Sequence, residues 1–378
     1  MGKAIMSVIE KLDICSNHDV AYTMPAAWYT DPKIFELETE RLFLRSWTAL
    51  CGVSDVRDKQ AYITATVAGQ ELLVVRGSDG VLRGFYNVCP HRGHELLKGC
   101  GHTRSSIVCP YHAWSFGLDG MLMRARNSEN VEAFDLARSQ LSPVRIEEFC
   151  GMVYANLDPS APSMRALAPG LEETVLARRP TANDLIRAKD HRITHVTKAN
   201  WKAIVDNYLE CYHCQPAHQG FVESVDLGAY HHDLHGSWTI QVGKTRPSPS
   251  CYGIEPGAGN PEYAGFYLWP TTMLNVTPGE VGMMTINMMF PIDADTTLQL
   301  YDFYLPTEQP TAKQMAIIDY YRDVFRAEDI SLVESVQRGL KSRGYRGRGR
   351  VMVDRQRSGI SEHGIAHFHQ RVAALIQS

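Results

Sequence analysis

Between residues 26 and 50, the apolar positions Ile34, Phe35, Leu37, Leu42 and Phe43 recur at near-helical spacing, with Asp31 placed to cap a helix that starts at Pro32. Over 60–156 the rhythm changes. QAYITATVAGQELLVVRGSDGVLRGFYNV alternates β-branched and aromatic runs with Gly and Asp-Gly breaks, which predicts short antiparallel strands, and FGLDGML at 116–122 predicts a hairpin. After Asp158-Pro159 the text is mixed: a helix over 200–213, strands over 236–247, 266–276, 280–291 and 297–305, and a long helix over 311–340. The pattern predicts an α+β chain. A small all-β domain would occupy 46–157 and an antiparallel sheet with helices 158–378, with a helical segment at 1–45 packing on the latter.

Composition changes this picture little. The 378 residues suffice for two or three domains, and 44% hydrophobic with 21% charged residues is ordinary for a globular chain. A net charge of -4 gives no electrostatic case for nucleic acid or a membrane surface. No apolar run reaches transmembrane length, and MGKAIMSVIEKLDIC has no apolar core followed by a small-residue cleavage site. Met6 stands where a myristoylation pattern needs Ser or Thr, so a cytoplasmic location is expected. Nine cysteines, an odd number, argue against a disulfide framework; two stand in metal-ligand spacing, and the other seven are expected to be buried thiols.

Those two belong to Cys89-Pro90-His91, followed after 17 residues by Cys109-Pro110-Tyr111-His112. Each half follows a predicted strand and reads as a loop tip. Two thiolates with two imidazoles suit zinc or a [2Fe–2S] cluster in which two Cys hold one iron and two His the other. Zinc spacings usually pair like with like, and a C-x-H half strains a shared tetrahedral centre, so the spacing favours the cluster. The two prolines stiffen the loops. Gly93 would allow close backbone approach, with Arg92 and Tyr111 flanking the ligands; Trp114 is placed either to shield the centre or to pack the core.

A second constellation lies in 200–213. On a helix, Trp201, Ile204, Val205, Tyr208 and Tyr212 form one stripe, and Asp206, Glu210 and His213 another. Pro216 ends the helix, and His218 follows five residues after His213, where a turn could aim both imidazoles at one ion. Two His and one carboxylate on one face of an iron leave positions open for O2 and substrate. Periodicity leaves Asp323, Glu328, Asp329 and Glu334 all open as the third ligand. Asp206 is placed to tune Glu210 or His213, or to be a plain surface carboxylate.

YNVCPHRGHELL (86–97), ANWKAIVDNYLECYHCQPAH (199–218), LVESVQRGLKSRGYRGRGR (332–350) and GISEHGIAHF (359–368) together resemble the Rieske non-haem iron oxygenase large subunits over essentially the whole chain. Within them, the similarity is closest to the carnitine monooxygenase oxygenase components. The resemblance implies an all-β Rieske domain and a helix-grip catalytic domain, in a homotrimer that passes electrons between neighbouring subunits. It makes Cys89, His91, Cys109 and His112 the [2Fe–2S] ligands, and His213, His218 and Asp329 the ligands of a mononuclear Fe(II). Where the wider family has a bridging Asp three residues before the first iron His, this chain has Glu210. The implied reaction hydroxylates carnitine beside its nitrogen and breaks the C–N bond, giving trimethylamine and malic semialdehyde.

No G-x-G-x-x-G joins a strand to a helix, so electrons are expected from a separate flavin and iron–sulfur reductase using NAD(P)H. A quaternary ammonium is received by aromatic faces, for which Tyr208, Phe266, Tyr267 and Trp269 are candidates, with core packing as the competing reading. The basic run from Lys341 to Arg350 would dock an acidic reductase or form a solvated loop, and His363 and His367 would bind metal or lie on the surface. Other functions predict different chemistry. An oxygenase of γ-butyrobetaine, glycine betaine or choline, or a demethylase, releases different products; a Rieske electron carrier has no second iron; a zinc-stabilised binding module is colourless.

Overall fold

The computed structural model describes residues 21–257, 262–279 and 281–377; the expectations drawn from the first fifteen residues lie outside them. The chain divides into two compact units, Phe43–Ala166 and the described residues up to Leu42 together with those from Leu167 onward. Among the described residues no helix is long and apolar enough to cross a membrane.

The smaller unit is built of two antiparallel sheets. One has seven strands in the order Thr48–Gly52, Met152–Asn156, Pro143–Phe149, Leu82–Tyr86, Gln70–Arg76, Ala61–Val67 and Cys100–His102. The other has three, Ser106–Val108, Ser115–Gly117 and Leu122–Arg124, with the turn of the predicted hairpin between the last two. Leu73, Phe85, Ile107 and Phe116 form a core that also takes in Cys89, Cys109 and Trp114.

The larger unit carries an eight-stranded antiparallel sheet. Ile186–Arg187 and Ile193–Thr197 both pair with Thr297–Leu305, and Met284–Pro291, Thr272–Val276, Glu262–Leu268, Trp238–Lys244 and His231–His235 follow in order. The strand predicted over 266–276 is instead a hairpin: Phe266 pairs with Leu274 across a turn at 269–271. Asp31 does cap Pro32–Arg41 through Lys33 N–H, but the predicted 26–50 helix is broken into Ala26–Thr30, Pro32–Arg41 and the strand Thr48–Gly52. Pro32 lacks the N–H that would continue the first helix.

Asn200 caps the helix Trp201–Tyr208, which stops five residues short of its predicted end. The long helix expected over 311–340 runs as Ala312–Tyr320, a π turn at Tyr321–Phe325, and Arg326–Leu340. Two polar contacts lock Arg326–Leu340 to the start of the shorter helix: Gln337 accepts from Asn200 N–H (3.1 Å) and Glu334 from Lys198 N–H (2.9 Å). A buried ion pair, Lys202 to Glu38 at 2.6 Å, ties the shorter helix to Pro32–Arg41. Burial pushes Glu38 up and Lys202 down, each against the pull of its partner.

Candidate metal centres

In the smaller unit two loops carry the Cys and His residues, and both close in the same way. Cys89 N–H donates to His94 O (2.8 Å) and Gly93 N–H returns to Cys89 O (2.9 Å). Cys109 N–H donates to Trp114 O (2.8 Å) and Ala113 N–H returns to Cys109 O (3.0 Å). Each closure needs a left-handed residue four places after the cysteine: Gly93 at φ 72° and Ala113 at φ 59°. The closures place Cys89 and Cys109 side by side in the core and bring the His91 and His112 rings to 4.7 Å between centroids.

His112 Nδ1 is buried with no partner among the described residues. Burial pushes the Cys89 thiol up; the His91 N–H opposes this, and Cys109 beside it adds to it. Adjacent buried thiols and an orphaned imidazole nitrogen fit a bound cluster that takes the thiols as thiolates. Trp114 both packs in the core and stacks on His91, at 4.6 Å and 9° between planes, so its two alternatives coexist. Tyr111 is exposed against His112, with Arg92 over its ring.

In the larger unit one ligand atom from each of His213, His218 and Asp329 lies within 4.8 Å of the others. The Nε2 atoms of the two imidazoles are 3.1 Å apart, and Asp329 Oδ1 stands 3.0 Å from His218 and 3.5 Å from His213. The outer nitrogens meet acids: His213 Nδ1 donates to Glu210, and His218 Nδ1 to Glu328 at 2.7 Å. A proton held at Nδ1 leaves the Nε2 lone pair for the centre. Burial opposes charge on His213, but Asp329 and Glu210 outweigh it and lift the imidazole to about 10. Burial would raise Asp329, yet His213 and His218 hold it at about 2. The three atoms thus form a seat for positive charge, open to a proton or to a cation.

The four acids left open by periodicity now separate. Asp329 enters the triad, Glu328 orients His218, Glu334 caps Lys198 N–H, and Asp323 pairs with Arg322. Because its helix ends at Tyr208, the expected stripe of Asp206, Glu210 and His213 does not exist. Asp206 touches neither Glu210 nor His213; it accepts from Tyr29 (2.5 Å) and His369 (2.8 Å). Glu210 instead bonds His213 through both its N–H and Nδ1. Two of the seven cysteines expected as thiols, Cys211 and Cys214, form a disulfide on the loop between Glu210 and Cys214, and Cys100 is exposed.

Beside the triad lies a cavity of about 830 Å³, counted out to its mouth. Its walls include Tyr208, Tyr230, Tyr263, Tyr301, Tyr321 and Phe325. Asn275 Oδ1 accepts from both Tyr208 and Tyr263, each at 2.8 Å, and Gly265 leaves room for both hydroxyls, since a Cβ there would stand 2.6 Å from Tyr263 and 2.9 Å from Tyr208. Burial pushes the Tyr208, Tyr263 and Tyr301 hydroxyls up, keeping them neutral donors.

Of the predicted aromatic candidates only Tyr208 lines this cavity. Phe266 faces the opposite side of the sheet from Tyr263 and Gly265, toward Trp238. Tyr267 packs against Phe368, and Trp269 between Trp201, Phe368 and Arg371. The Nε2 atoms of His363 and His367 meet His232 O and Gly236 O rather than each other, and His363 is buried rather than on the surface. Within the basic run, Lys341 pairs with Asp295 and Arg348 donates to Thr23 O. Sequence reasoning missed Arg326, Asn275 and Gly265 at the cavity and did not single out Glu328 as a histidine partner. Arg326 and Asp329 stand one helical turn apart, the one signal that could have marked Arg326.

Residues 46–135 match the Rieske [2Fe-2S] domain, and residues 186–378 match the ring hydroxylating alpha subunit (catalytic domain). The chain is 52% identical over 365 residues to the carnitine monooxygenase oxygenase subunit of Escherichia coli (strain K12), covering 97% of this chain and 96% of that one. It is 30% identical to the chloroplastic choline monooxygenase of Beta vulgaris, over 97% of this chain and 80% of that one. Its fold matches the crystal structure of the quaternary ammonium Rieske monooxygenase CntA in complex with substrate L-carnitine at a TM-score of 0.88, with 49% identity over 98% of this chain and all of that one.

Proposed function

The chain belongs to the Rieske non-haem iron oxygenases, with their [2Fe–2S] cluster and mononuclear iron, and we propose that it hydroxylates carnitine, with Cys89, His91, Cys109 and His112 holding the cluster and His213, His218 and Asp329 the iron. The observation that carries this reading is the convergence of two Nε2 atoms and one carboxylate oxygen beside an aromatic-walled cavity. When bound, the iron activates dioxygen on its open face with electrons delivered through the cluster.

The residues of the chain do the rest. Glu210 and Glu328 fix the two imidazoles with Nε2 toward the centre. A trimethylammonium group has no N–H to donate, and its charge is received by ring faces such as Tyr208 and Tyr321. A substrate received by these rings would present the carbon beside its nitrogen to the side of the cavity that His213, His218 and Asp329 line. Replacing one C–H there by C–OH consumes O2, two electrons and two protons and leaves water. The new hydroxyl then loses its proton as the C–N bond breaks; trimethylamine departs with the bonding pair and the carbon becomes an aldehyde, malic semialdehyde. The electrons come from a flavin and iron–sulfur reductase oxidising NAD(P)H. Glu210, hydrogen-bonded to His213, serves as the bridge to the cluster of an adjoining subunit in a homotrimer, a role supported by its place on the loop that carries the first iron histidine.

The test is turnover of carnitine and a betaine panel with a matched reductase and NADH, following both trimethylamine and formaldehyde. Trimethylamine in step with NADH oxidation supports the reading. Formaldehyde, or no carnitine-dependent oxidation, overturns it.

A further inference from the structure

Arg326 opens the helix that carries Asp329 and is 6% exposed, yet both terminal guanidinium nitrogens are buried and lack a partner among the described residues. It lines the same cavity as the iron triad. Its guanidinium carbon lies 5.1 Å from the centre of the Tyr301 ring, another wall of that cavity. An aromatic face steadies the plane of the cation but does not satisfy its N–H groups. The nearby carboxylate, Asp329, is engaged with both histidines. A buried charge left unpaired is costly, and a planar fork of N–H donors is matched by a carboxylate.

We propose that Arg326 is the receptor for the substrate's carboxylate and makes the enzyme select quaternary amines that carry one. This rests on the carnitine reading above and adds the determinant that separates carnitine from neutral or cationic relatives. The helix sets the scale. Arg326 and Asp329 are three residues apart, so their Cα atoms differ by about 4.5 Å along the axis. In carnitine three C–C bonds of about 1.5 Å separate the carboxylate carbon from the carbon beside nitrogen. One helical turn therefore spans the two ends of the substrate, with the carboxylate over Arg326 and the reacting carbon over the iron ligands. γ-Butyrobetaine has the same span. Glycine betaine, whose carboxylate is one bond from the reacting region, cannot reach both, and choline has no carboxylate to offer.

The experiment compares carnitine with carnitinamide, in which the carboxylate is a neutral amide of nearly the same shape, using iron- and cluster-loaded enzyme, reductase and NADH. Wild type is expected to favour carnitine by about 30-fold or more in kcat/KM, the range of a hydrogen-bonded charge pair. Arg326→Gln is expected to reduce that preference to within about threefold, with the loss carried by KM for carnitine and little change for carnitinamide. Arg326→Lys keeps the charge and restores part of the preference. A merely structural arginine would depress both substrates alike, and that result overturns the proposal. Should Arg326→Gln fail to fold, the wild-type ratio still decides, because equal use of carnitine and carnitinamide by wild type also overturns it. The two readings fail separately. If wild type oxidises carnitine and carnitinamide equally, only the role of Arg326 falls; if it oxidises choline and rejects carnitine, the substrate assignment falls with it.

Discussion

The two ligand sets are held by different means. In the smaller unit each loop is closed by its own backbone, with matching N–H···O=C bonds around Cys89 and Cys109, and the ligands follow from the loop path. In the larger unit, His218 and Asp329 are 111 residues apart, and side chains do the holding: Glu210 and Glu328 on the outer nitrogens, Asn200 and Gln337 between the helices. A backbone-defined site tolerates change in its surroundings, because the donors that shape it belong to every residue. A side-chain-defined site can be loosened one neighbour at a time, and it can also be tuned that way.

The hardest break is Asp329→Ala. It should abolish oxygenation, a loss of more than about 10³-fold, and remove the mononuclear iron while leaving the visible spectrum of the cluster intact. Metal analysis beside an absorption spectrum checks this; loss of the cluster as well would mean that the two sites are not independent. Glu328→Gln removes only a histidine's outer partner and should cost about 10- to 100-fold in iron affinity or turnover, with the cluster again untouched. Protons probe the same site. The triad attracts a proton strongly enough to lift His213 to about 10, so that proton must leave when iron binds. Iron affinity, followed by equilibrium dialysis, should therefore fall about tenfold per unit as pH is lowered from about 8 to about 6. A flat profile would show that His213 does not carry the exchanged proton.

Gly265→Ala acts further out. Its new Cβ would crowd the Tyr208 and Tyr263 hydroxyls, an overpacking worth about 1–3 kcal/mol, seen as a lower melting temperature and a higher KM at unchanged iron content. The smallest effect is expected where backbone rules. Ala113 holds a left-handed conformation that Gly93 holds without strain, so Ala113→Gly should stabilise the smaller unit by about 1 kcal/mol in urea unfolding. A loss of stability there would show that the methyl group packs usefully.

Legibility in the sequence divides along the same line. Cys89-Pro90-His91 and Cys109-Pro110-Tyr111-His112 are local patterns whose loops are closed locally, so spacing alone brings out the donor set. His213 and His218 are legible for the same reason, five residues apart across a turn. Periodicity alone left the third carboxylate open, because a helix face presents several acids; only the resemblance singled out Asp329, the one whose oxygen meets both imidazoles. Helical periodicity carried past Tyr208 gave Asp206 the wrong partners, since nothing at Leu209 or Glu210 marks the end in the sequence. Phe266, Tyr267 and Trp269 were misplaced because one apolar run covered two strands and a turn. For Arg326 the local signal was only its one-turn spacing from Asp329; its burial is a property of the assembled cavity.

The π turn at Tyr321–Phe325 bears on how such a chain can change. Inserting one extra residue in a turn offsets the angular phase of everything that follows by about 100°. Arg326 and Asp329 lie just downstream, so they are geared to the same shaft. Deleting one residue from this turn would swing both off the cavity together, whereas a gain or loss beyond Leu340 would move neither. This stretch therefore behaves like a reading frame: whatever each of its side chains does, its length is fixed.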